Sequence, residues 1–218
     1  MEDLFASLRE RRTLGDGAVH LPGFTTGHDR AILGAIATLA EQAPFRRMTV
    51  PGGGVMSVAL TSCGDCGWCS DERGYCYAAK DPLTGRSWPS MPNVLKGIAK
   101  DAAQQAGYDE FEPQSCLINR YETGARMGMH QDKDEGCLEA PVVSLSIGIP
   151  ARFMFGGVER EQAVEVVDLY HGDAVIWGGP SRLAWHGIKP LRSAFHPLTG
   201  ALRYNLTFRA IAEDTFRS

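Results

Sequence analysis

The sequence predicts one mainly β domain with flanking helices, an α+β fold whose core is a barrel or jelly roll. The 218 residues are 44% hydrophobic and 22% charged, a globular composition long enough for one substantial core. Beyond Gly107, short β-rich runs follow one another with no helical period between them. No internal repeat or linker divides the chain, so a single domain over residues 1–218 is expected.

Two amphipathic helices are predicted in the first half of the chain. Apolar residues at spacings of three and four indicate a helix from Asp29 to Glu41, and a second stripe indicates one from Pro92 to Ala106. Residues 51–92 are rich in Gly, Cys and aromatic residues without a helical period, which predicts loops and short strands. The first stripe comprises Ile32, Leu33, Ile36, Leu39 and Ala40, and the second comprises Leu95, Ile98, Ala99 and Ala102.

Six strands are predicted in the second half, separated by turn signals such as Gly156-Gly157 and Gly178-Gly179-Pro180. Many short strands without intervening helices favour a barrel or jelly roll over a parallel α/β sheet. The predicted strands are Ser115–Tyr121, Val142–Ile149, Arg152–Phe155, Val164–Leu169, Ala174–Trp177 and Leu202–Ala210.

The net charge of −4 hides an asymmetry along the chain. Residues 174–212 hold five basic residues and no acidic one, so the rest of the chain carries −9. A mildly acidic protein with a positive C-terminal quarter is able to hold an anion locally without being a general polyanion binder. No run of about 18 apolar residues occurs and the segment Met1–Phe5 is acidic, so no membrane span, membrane partner or signal peptide is predicted. We expect a cytoplasmic location.

The six cysteines are too few for a disulfide scaffold of this size, and we expect thiols or metal ligands. Four of them have the spacing C-x2-C-x2-C-x6-C. One hypothesis is that these thiolates bind zinc or an iron-sulfur cluster. The alternative is that they are small apolar residues in a substrate loop. The four are Cys63, Cys66, Cys69 and Cys76, and the other two are Cys116 and Cys137.

The predicted strand near the C-terminus has one wholly polar face. Because side chains alternate along a strand, Arg203, Asn205, Thr207 and Arg209 point to the same side. Either this face is solvated, or it lines a ligand cavity. In the second case two arginines roughly 20 Å apart along the strand are able to grip both ends of a short dicarboxylate, which their planar forks bind bidentately.

A second group of residues has the character of a metal site. In an extended segment His130 and Asp132 point the same way, and a distant histidine such as His186 completes a two-histidine, one-carboxylate face. Non-haem Fe(II) oxygenases use the open positions of such a face for a cosubstrate and dioxygen. The motif is short, and four further histidines compete as third ligand or are structural. They are His20, His28, His171 and His196.

The two groups reinforce each other through charge. A face with adjacent open positions suits a bidentate 2-oxo acid, and a dicarboxylic 2-oxo acid needs a cation at its far end. Fe(II), one aspartate and 2-oxoglutarate together carry a net negative charge, which a buried arginine neutralises. Arg203 or Arg209 supplies that cation.

The ordered set of motifs resembles the AlkB family of Fe(II)/2-oxoglutarate-dependent nucleic-acid dealkylases, from about Gly17 to Ile211. The resemblance implies a double-stranded β-helix, or jelly-roll, core at residues 110–212 with the helices outside it. Residues 14–90 would form an N-terminal extension with a nucleotide-recognition lid. The motifs are Asn119-Arg120-Tyr121, His130-Gln131-Asp132-Lys133-Asp134, Ser181-Arg182-Leu183, His186-Gly187-Ile188 and Arg203-Tyr204-Asn205-Leu206-Thr207-Phe208-Arg209.

The resemblance also implies the cofactors and their ligands, with Fe(II) as the metal and 2-oxoglutarate and O2 as cosubstrates. Iron would be held by His130, Asp132 and His186. Arg203 would bind the distal carboxylate of 2-oxoglutarate, and Arg209 would lie nearer its metal-bound end. The residues implied to hold 2-oxoglutarate are Asn119, Arg120, Tyr121, Arg203, Asn205 and Arg209.

The implied substrates are 1-methyladenine and 3-methylcytosine, which are dealkylated with release of formaldehyde, succinate and CO2. Ring methylation makes these bases cationic, so an aromatic platform and a carboxylate suit them. Trp68 would stack on the base, and Asp134 would contact its exocyclic amine. Since a base must leave the duplex to reach a buried iron, the expected partner is alkylated single-stranded DNA, with RNA and duplex DNA as further candidates. The residues implied to contact the nucleotide are Trp68, Tyr75, Cys76, Tyr77, Asp134 and Arg160.

Two other functions fit the same sequence features. A 2-oxoglutarate oxygenase acting on a protein or a small molecule would share the iron site and differ at the lid. A non-catalytic jelly-roll binding module would use the histidines structurally. The tripeptide Met127-Gly128-Met129 before the first ligand departs from the family pattern, and Trp68 taken alone is more typical of a core or hairpin tryptophan than of a base-stacking residue. We expect the chain to act as a monomer.

Overall fold

The computed structural model describes residues 9–217. The acidic segment at residues 1–5, on which the prediction of no signal peptide depends, lies outside that range. Two α-helices are described, α1 (Asp29–Gln42) and α2 (Asn93–Gln105). The strands described are β1 (Arg12–Gly15), β2 (Ala18–Leu21), β3 (Ala59–Gly64), β4 (Gly67–Asp71), β5 (Gly74–Ala78), β6 (Ser115–Tyr121), β7 (Met127–His130), β8 (Val142–Gly148), β9 (Ala151–Phe155), β10 (Glu165–Leu169), β11 (Ala174–Trp177), β12 (His186–Ile188), β13 (Arg203–Arg209) and β14 (Phe216–Arg217).

Two antiparallel sheets form the core. The larger has the order β1-β2-β11-β8-β13-β6-β3, and the smaller has the order β10-β9-β12-β7. Their inner faces share one apolar cluster, in which Phe153 and Ile188 of the small sheet pack with Val175 and Trp177 of the large sheet. The strand order, with sequence-distant strands as neighbours, is that of a jelly roll, so the predicted fold class is confirmed.

The helices cover the outer face of the large sheet. Buried Ile36 and Leu39 of α1 and Leu95 of α2 share a cluster with Leu145 of β8 and Leu206 of β13. Each such side chain contributes about 1.5–3 kcal/mol when it leaves water. Both helices occur where the apolar period predicts them, and their observed ends lie within one residue of the predicted ends.

The N-terminal region is interleaved with the C-terminal region. Strand β2 pairs with β11, and β3 pairs with β6, so both enter the large sheet. Strands β4 and β5 form a hairpin that β14 extends into a separate three-stranded sheet. The hairpin turns at Glu72-Arg73, and Gly74 follows with a φ of 137°, which favours glycine. Residues 14–90 and residues 110–212 therefore contribute strands to the same large sheet, although the sequence suggests them as separate regions.

No helix between residues 9 and 217 is both long and apolar enough to cross a membrane.

Candidate active site

A cavity of about 480 Å³ opens between the two sheets. This volume lies within the range of small-molecule sites. The hairpin β4–β5, which we call the aromatic hairpin because it carries Trp68 and Tyr75, forms part of the cavity wall. The predicted site residues that line the cavity are His130, Asp132, His186, Asn119, Tyr121, Arg203, Asn205, Arg209, Trp68, Tyr75 and Asp134.

The three predicted iron ligands meet at one end of this cavity. His130 on β7 lies directly opposite His186 on β12, and their ring centroids are 4.3 Å apart. The Nε2 atoms of His130 and His186 lie 3.7 Å and 3.8 Å from Oδ1 of Asp132. Among residues 9–217 this is the single group of three or more His, Cys, Asp or Glu side chains placed to hold a metal ion.

Backbone carbonyls orient the two imidazoles. Nδ1 of His130 donates to the carbonyl of Gly128, and Nδ1 of His186 donates to the carbonyl of Ala184, both at 2.9 Å. Since a carbonyl only accepts, each Nδ1 carries the hydrogen and each Nε2 keeps a lone pair. Such an outer hydrogen bond fixes the tautomer of a metal-ligating histidine. The donor set therefore fits Fe(II), with two imidazoles and one carboxylate aimed at one point.

Glycine permits the close approach of the two ligand strands. The pairing of β7 with β12 is irregular between His130 and Met127, where a bulge changes the register. A β-carbon on Gly187 would lie 2.8 Å from the carbonyl oxygen of Met127 and 2.9 Å from that of Gly128. Only glycine therefore keeps the two histidines opposite each other at this position.

Charges around Asp132 keep it ionised. Burial alone would raise the pKa of Asp132, but Arg209, His186 and His130 hold it below its ordinary value. Nε and Nη2 of Arg209 donate to Oδ2 at 2.9 Å and 2.7 Å, so Oδ1 stays available to a metal. Burial, with His130 beside it, lowers the pKa of His186 to about 4, so this ligand is a neutral imidazole at pH 7.

The other histidines lie elsewhere. His20 hydrogen-bonds Asp173, and His171 hydrogen-bonds Asp29 and stacks on His196. His28 is exposed at the start of α1. The choice of third ligand, which the sequence left open, is therefore made by the pairing of β7 with β12.

The polar face of β13 is enclosed rather than solvated. Arg203 is 1% exposed, and its Nη2 donates to Oγ of Ser146 at 3.0 Å. Its guanidinium lies 5.1 Å from the ring centre of Tyr121, while Nε and Nη1 are buried without a hydrogen-bond partner among the described residues. The Oδ1 atom of Asn119 is also buried without a hydrogen-bond partner among the described residues. A buried polar group costs free energy unless it is paired. The unpaired N–H groups of Arg203 therefore fit the distal carboxylate of 2-oxoglutarate.

Arg120 is not brought into the cavity, although it was predicted to hold 2-oxoglutarate. It lies between Asn119 and Tyr121 on β6, and strand alternation turns it to the opposite face. Its guanidinium lies 5.0 Å from the ring centre of Phe45, and its Nη2 is 3.8 Å from Oε1 of Glu122.

Two predicted substrate residues form an aromatic pair at the cavity. The rings of Trp68 and Tyr75 are stacked, with centroids 5.4 Å apart and planes at 21°. Trp68 is half-buried and Tyr75 is 46% exposed, so the pair offers a face to a ligand. Asp134 is exposed and lines the same cavity. An aromatic surface and a carboxylate thus border the space in front of the iron ligands.

Three predicted substrate residues do not line the cavity. Tyr77 belongs to β5 of the aromatic hairpin but is fully buried, and burial raises its pKa well above its ordinary value, so its hydroxyl remains a donor. Cys76 packs on the other face of the hairpin, against a cluster that contains Trp88. Arg160 is exposed, with its guanidinium 4.9 Å from the ring centre of Trp185.

A buried network that sequence reasoning missed supports Asp132. Glu135, 2% exposed, accepts hydrogen bonds from the Tyr77 hydroxyl at 2.9 Å and from Nη2 of Arg182 at 3.2 Å. Nη1 of Arg182 donates to the backbone carbonyl of Asp132 at 2.6 Å, and Oε1 of Glu135 is 3.4 Å from Nε of Arg209. We call Tyr77, Glu135, Arg182, Arg209 and Asp132 the Glu135 network. Its sequence signals were an acidic residue in a charged run and an arginine within a family motif.

The closely spaced cysteines do not assemble into a metal site among the described residues. Cys63 lies opposite Cys116 across β3 and β6, whereas Cys66 packs against Tyr77 and Cys69 lies opposite Cys76. Burial raises the pKa of the Cys66 and Cys69 thiols to about 12, which disfavours the thiolate that a metal requires. The structure supports the alternative of small apolar residues.

The jelly roll and its cavity define a class of enzyme. Two imidazoles and a carboxylate meet at one end, and buried guanidinium groups face the same space. This is the arrangement of an Fe(II) oxygenase that uses a 2-oxo acid. In agreement, the family described as the 2OG-Fe(II) oxygenase superfamily matches residues 17–209.

Proteins of similar sequence and structure identify the family within this class of enzyme. The alpha-ketoglutarate-dependent dioxygenase AlkB of Salmonella typhimurium is 51% identical over 98% of this chain and 99% of its own length. The protein of the same name from Escherichia coli is 49% identical over 96% and 97%. The solved structure of OsALKBH1 has a TM-score of 0.79 and 29% identity, covering 92% of this chain and all of that one. The chain belongs to the AlkB family of the 2OG-Fe(II) oxygenase superfamily and is an alpha-ketoglutarate-dependent dioxygenase.

Proposed function

We propose that this chain repairs DNA by oxidative demethylation of 1-methyladenine and 3-methylcytosine. The observation that carries the proposal is the placement of the Trp68–Tyr75 pair and Asp134 in the same cavity as the metal ligands. The two bacterial AlkB relatives, similar over almost their whole lengths, support the same assignment.

The side chains of the site would hold Fe(II), bind 2-oxoglutarate, or orient and balance the charge of a metal ligand. His130, Asp132 and His186 would hold Fe(II), and Arg203 would bind the distal carboxylate of 2-oxoglutarate. Arg209 keeps Asp132 ionised and oriented. When bound, Fe(II) and 2-oxoglutarate supply the oxidation of the alkyl carbon by O2, with succinate and CO2 as by-products. The hydroxymethyl group left on the base nitrogen is unstable and departs as formaldehyde.

Substrate recognition follows from the charge of the damaged base. Ring methylation at a nitrogen makes adenine or cytosine cationic, and a cation is attracted to an aromatic face by about 0.5–2 kcal/mol. The Trp68–Tyr75 pair offers that face, while Asp134 attracts the charge and accepts from the exocyclic amine. An undamaged neutral base still stacks and still donates from its exocyclic amine, but it lacks the attraction of a positive charge to the aromatic face and to Asp134, so the site discriminates by charge.

The burial of two of the three metal ligands requires an extruded base. Asp132 and His186 are 6% and 5% exposed, so a base stacked in a duplex cannot reach them. We therefore propose single-stranded DNA as the preferred substrate, with RNA and duplex DNA acted on more slowly. Arg126 at the cavity wall offers a cation to the phosphate backbone. The described metal ligands and cavity walls come from one chain, and we propose that the protein acts as a monomer and that it acts in the cytoplasm.

The proposal is tested with anaerobically purified protein, Fe(II), 2-oxoglutarate and a single-stranded oligonucleotide that carries one 1-methyladenine. Formaldehyde and restored adenine should appear in equal amounts after oxygen is admitted. Asp132→Ala and His130→Ala should abolish both, while His28→Ala, which removes an exposed imidazole outside the cavity, should not. Succinate formation without restored adenine on any methylated oligonucleotide would instead favour an oxygenase of proteins or small molecules.

A further inference from the structure

We propose that Tyr77 and Glu135 are positioning residues that connect the aromatic hairpin to the metal ligand Asp132. In this role Tyr77 acts without touching the base. The inference rests on the proposed function for the identity of the base, but its central contacts lie within the protein.

The connection is an unbroken series of polar contacts. The Tyr77 hydroxyl donates to Oε1 of Glu135 at 2.9 Å, and the same oxygen lies 3.4 Å from Nε of Arg209. Arg209 in turn donates twice to Oδ2 of Asp132. Tyr77 is 0% exposed and Glu135 is 2% exposed, so water does not compete for these contacts.

Tyr77, the first residue of the series, belongs to the same hairpin as the residues that face the base. Tyr77 lies directly opposite Trp68 in the antiparallel pairing of β4 and β5, and Tyr75 lies two residues earlier on β5. Side chains two residues apart on a strand share a face, so Tyr77 and the Trp68–Tyr75 pair project from the same side of the hairpin. A shift of that pair when a base enters therefore moves the Tyr77 ring.

The hydroxyl acts on geometry rather than on charge balance. Asp132 and Glu135 are matched by Arg182 and Arg209, so the Glu135 network is neutral without Tyr77. The hydroxyl proton occupies Oε1 of Glu135, the oxygen that otherwise competes with Asp132 for Arg209. While that proton is in place, Arg209 stays with Asp132 and leaves Oδ1 aimed at the metal.

The decisive variant is Tyr77→Phe, which removes one hydroxyl and keeps the ring. Its matched control is Tyr108→Phe, because Tyr108 also donates its hydroxyl to one acceptor, the carbonyl of Gly17 at 2.7 Å, and does not line the cavity. Mn(II) is titrated into each metal-free protein and followed by electron paramagnetic resonance. Loss of a partner behind a metal ligand weakens metal binding by roughly 10–100-fold, so we expect about tenfold weaker binding for Tyr77→Phe and no change for Tyr108→Phe.

Two further measurements separate positioning from direct contact. The affinity of metal-free protein for a methylated oligonucleotide, measured by tryptophan fluorescence, should be unchanged in Tyr77→Phe. With Fe(II) present, succinate formed per formaldehyde should rise, because Asp132 is held less firmly when the base is bound. Weaker oligonucleotide binding with unchanged Mn(II) affinity would make Tyr77 a substrate contact and would overturn the proposal.

A second variant tests the series as a unit. Because Glu135→Gln removes the carboxylate charge that competes with Asp132 for Arg209, the double variant Tyr77→Phe/Glu135→Gln should bind Mn(II) more tightly than Tyr77→Phe alone, as expected for coupled residues. A double variant that binds Mn(II) no better than Tyr77→Phe, or Mn(II) affinity within twofold of wild type in Tyr77→Phe, would refute the connection. The Mn(II) measurement needs no nucleic acid, so it stands even if the methylated oligonucleotide proves not to be the substrate.

Discussion

Replacing Arg203 by methionine should stabilise the protein without 2-oxoglutarate and reduce the further stabilisation that 2-oxoglutarate brings. Arg203 is 1% exposed, and two of its guanidinium nitrogens are buried without a partner among the described residues. Leaving a buried donor unpaired costs about 1–3 kcal/mol. Methionine fills a similar space without that cost, so we expect the ligand-free variant to gain about 1–3 kcal/mol in the free energy of unfolding.

With 2-oxoglutarate present, wild type should gain more stability than the variant. Truncating one partner of a buried, hydrogen-bonded ion pair costs about 2–5 kcal/mol, so a loss of about 3 kcal/mol weakens 2-oxoglutarate binding roughly 100-fold or more. At a concentration of 100 times the wild-type Kd, the ligand stabilises wild type by about 2.7 kcal/mol and a variant with 100-fold weaker binding by only about 0.4 kcal/mol.

The assay is thermal unfolding in Mn(II) with and without 2-oxoglutarate. For a chain of this size 1 kcal/mol shifts Tm by about 2–4 °C, so both effects are measurable. The matched control is Arg120→Met, because Arg120 lies on the neighbouring strand but faces away from the cavity. Arg120→Met should keep the wild-type response to 2-oxoglutarate. If Arg203→Met unfolds at a lower temperature without ligand and retains the full shift with it, the assignment of Arg203 to the distal carboxylate is wrong.

Two further predictions concern the base and the acid stability of the fold. Trp68→Ala should weaken binding of a methylated oligonucleotide by about 1–3 kcal/mol, the usual contribution of one stacked base, while 2-oxoglutarate consumption without a base persists; equal loss of both would assign Trp68 to packing. Burial would raise the pKa of Asp173, but His20, Arg9 and two backbone N–H groups hold it below 3.8, so its stabilisation is present above that pH and is lost as the pH falls through the lowered pKa. Asp173→Asn should therefore show a flatter fall in stability below pH 4 than wild type in denaturant titrations, and an unchanged slope would contradict this account.

The spacing of apolar and polar residues along the chain predicted much of the secondary structure. The apolar spacing that predicts Asp29–Glu41 corresponds to a helix at Asp29–Gln42, because the amphipathic stripe depends only on neighbours along the chain. The alternation in Leu202–Ala210 likewise corresponds to strand Arg203–Arg209, with its polar residues on one face. The sequence alone did not decide whether the polar face of this strand was exposed to solvent, because its burial depends on the small sheet that packs over it.

Residues that depend on packing were harder to place. Tyr77 and Tyr75 have the same type and the same strand face, yet one is fully buried and the other is 46% exposed. Cys66 and Cys69 have the spacing of metal ligands but enter different clusters. Glu135 follows Asp134 directly in a charged run, and only the fold turns it inward between Tyr77 and two arginines.

The amino-acid sequence by itself determined the periods of the helices and strands, the types of group that hold iron and a dicarboxylate, and the faces on which neighbouring side chains project. Only the tertiary structure decided that His186, among the candidate histidines, meets His130 and Asp132, and that Glu135 lies behind them. The physical reason is the distance along the chain over which each kind of interaction acts. A period arises from backbone geometry over a few residues, whereas the register of β7 with β12 and the burial of a carboxylate depend on contacts between segments far apart in the chain.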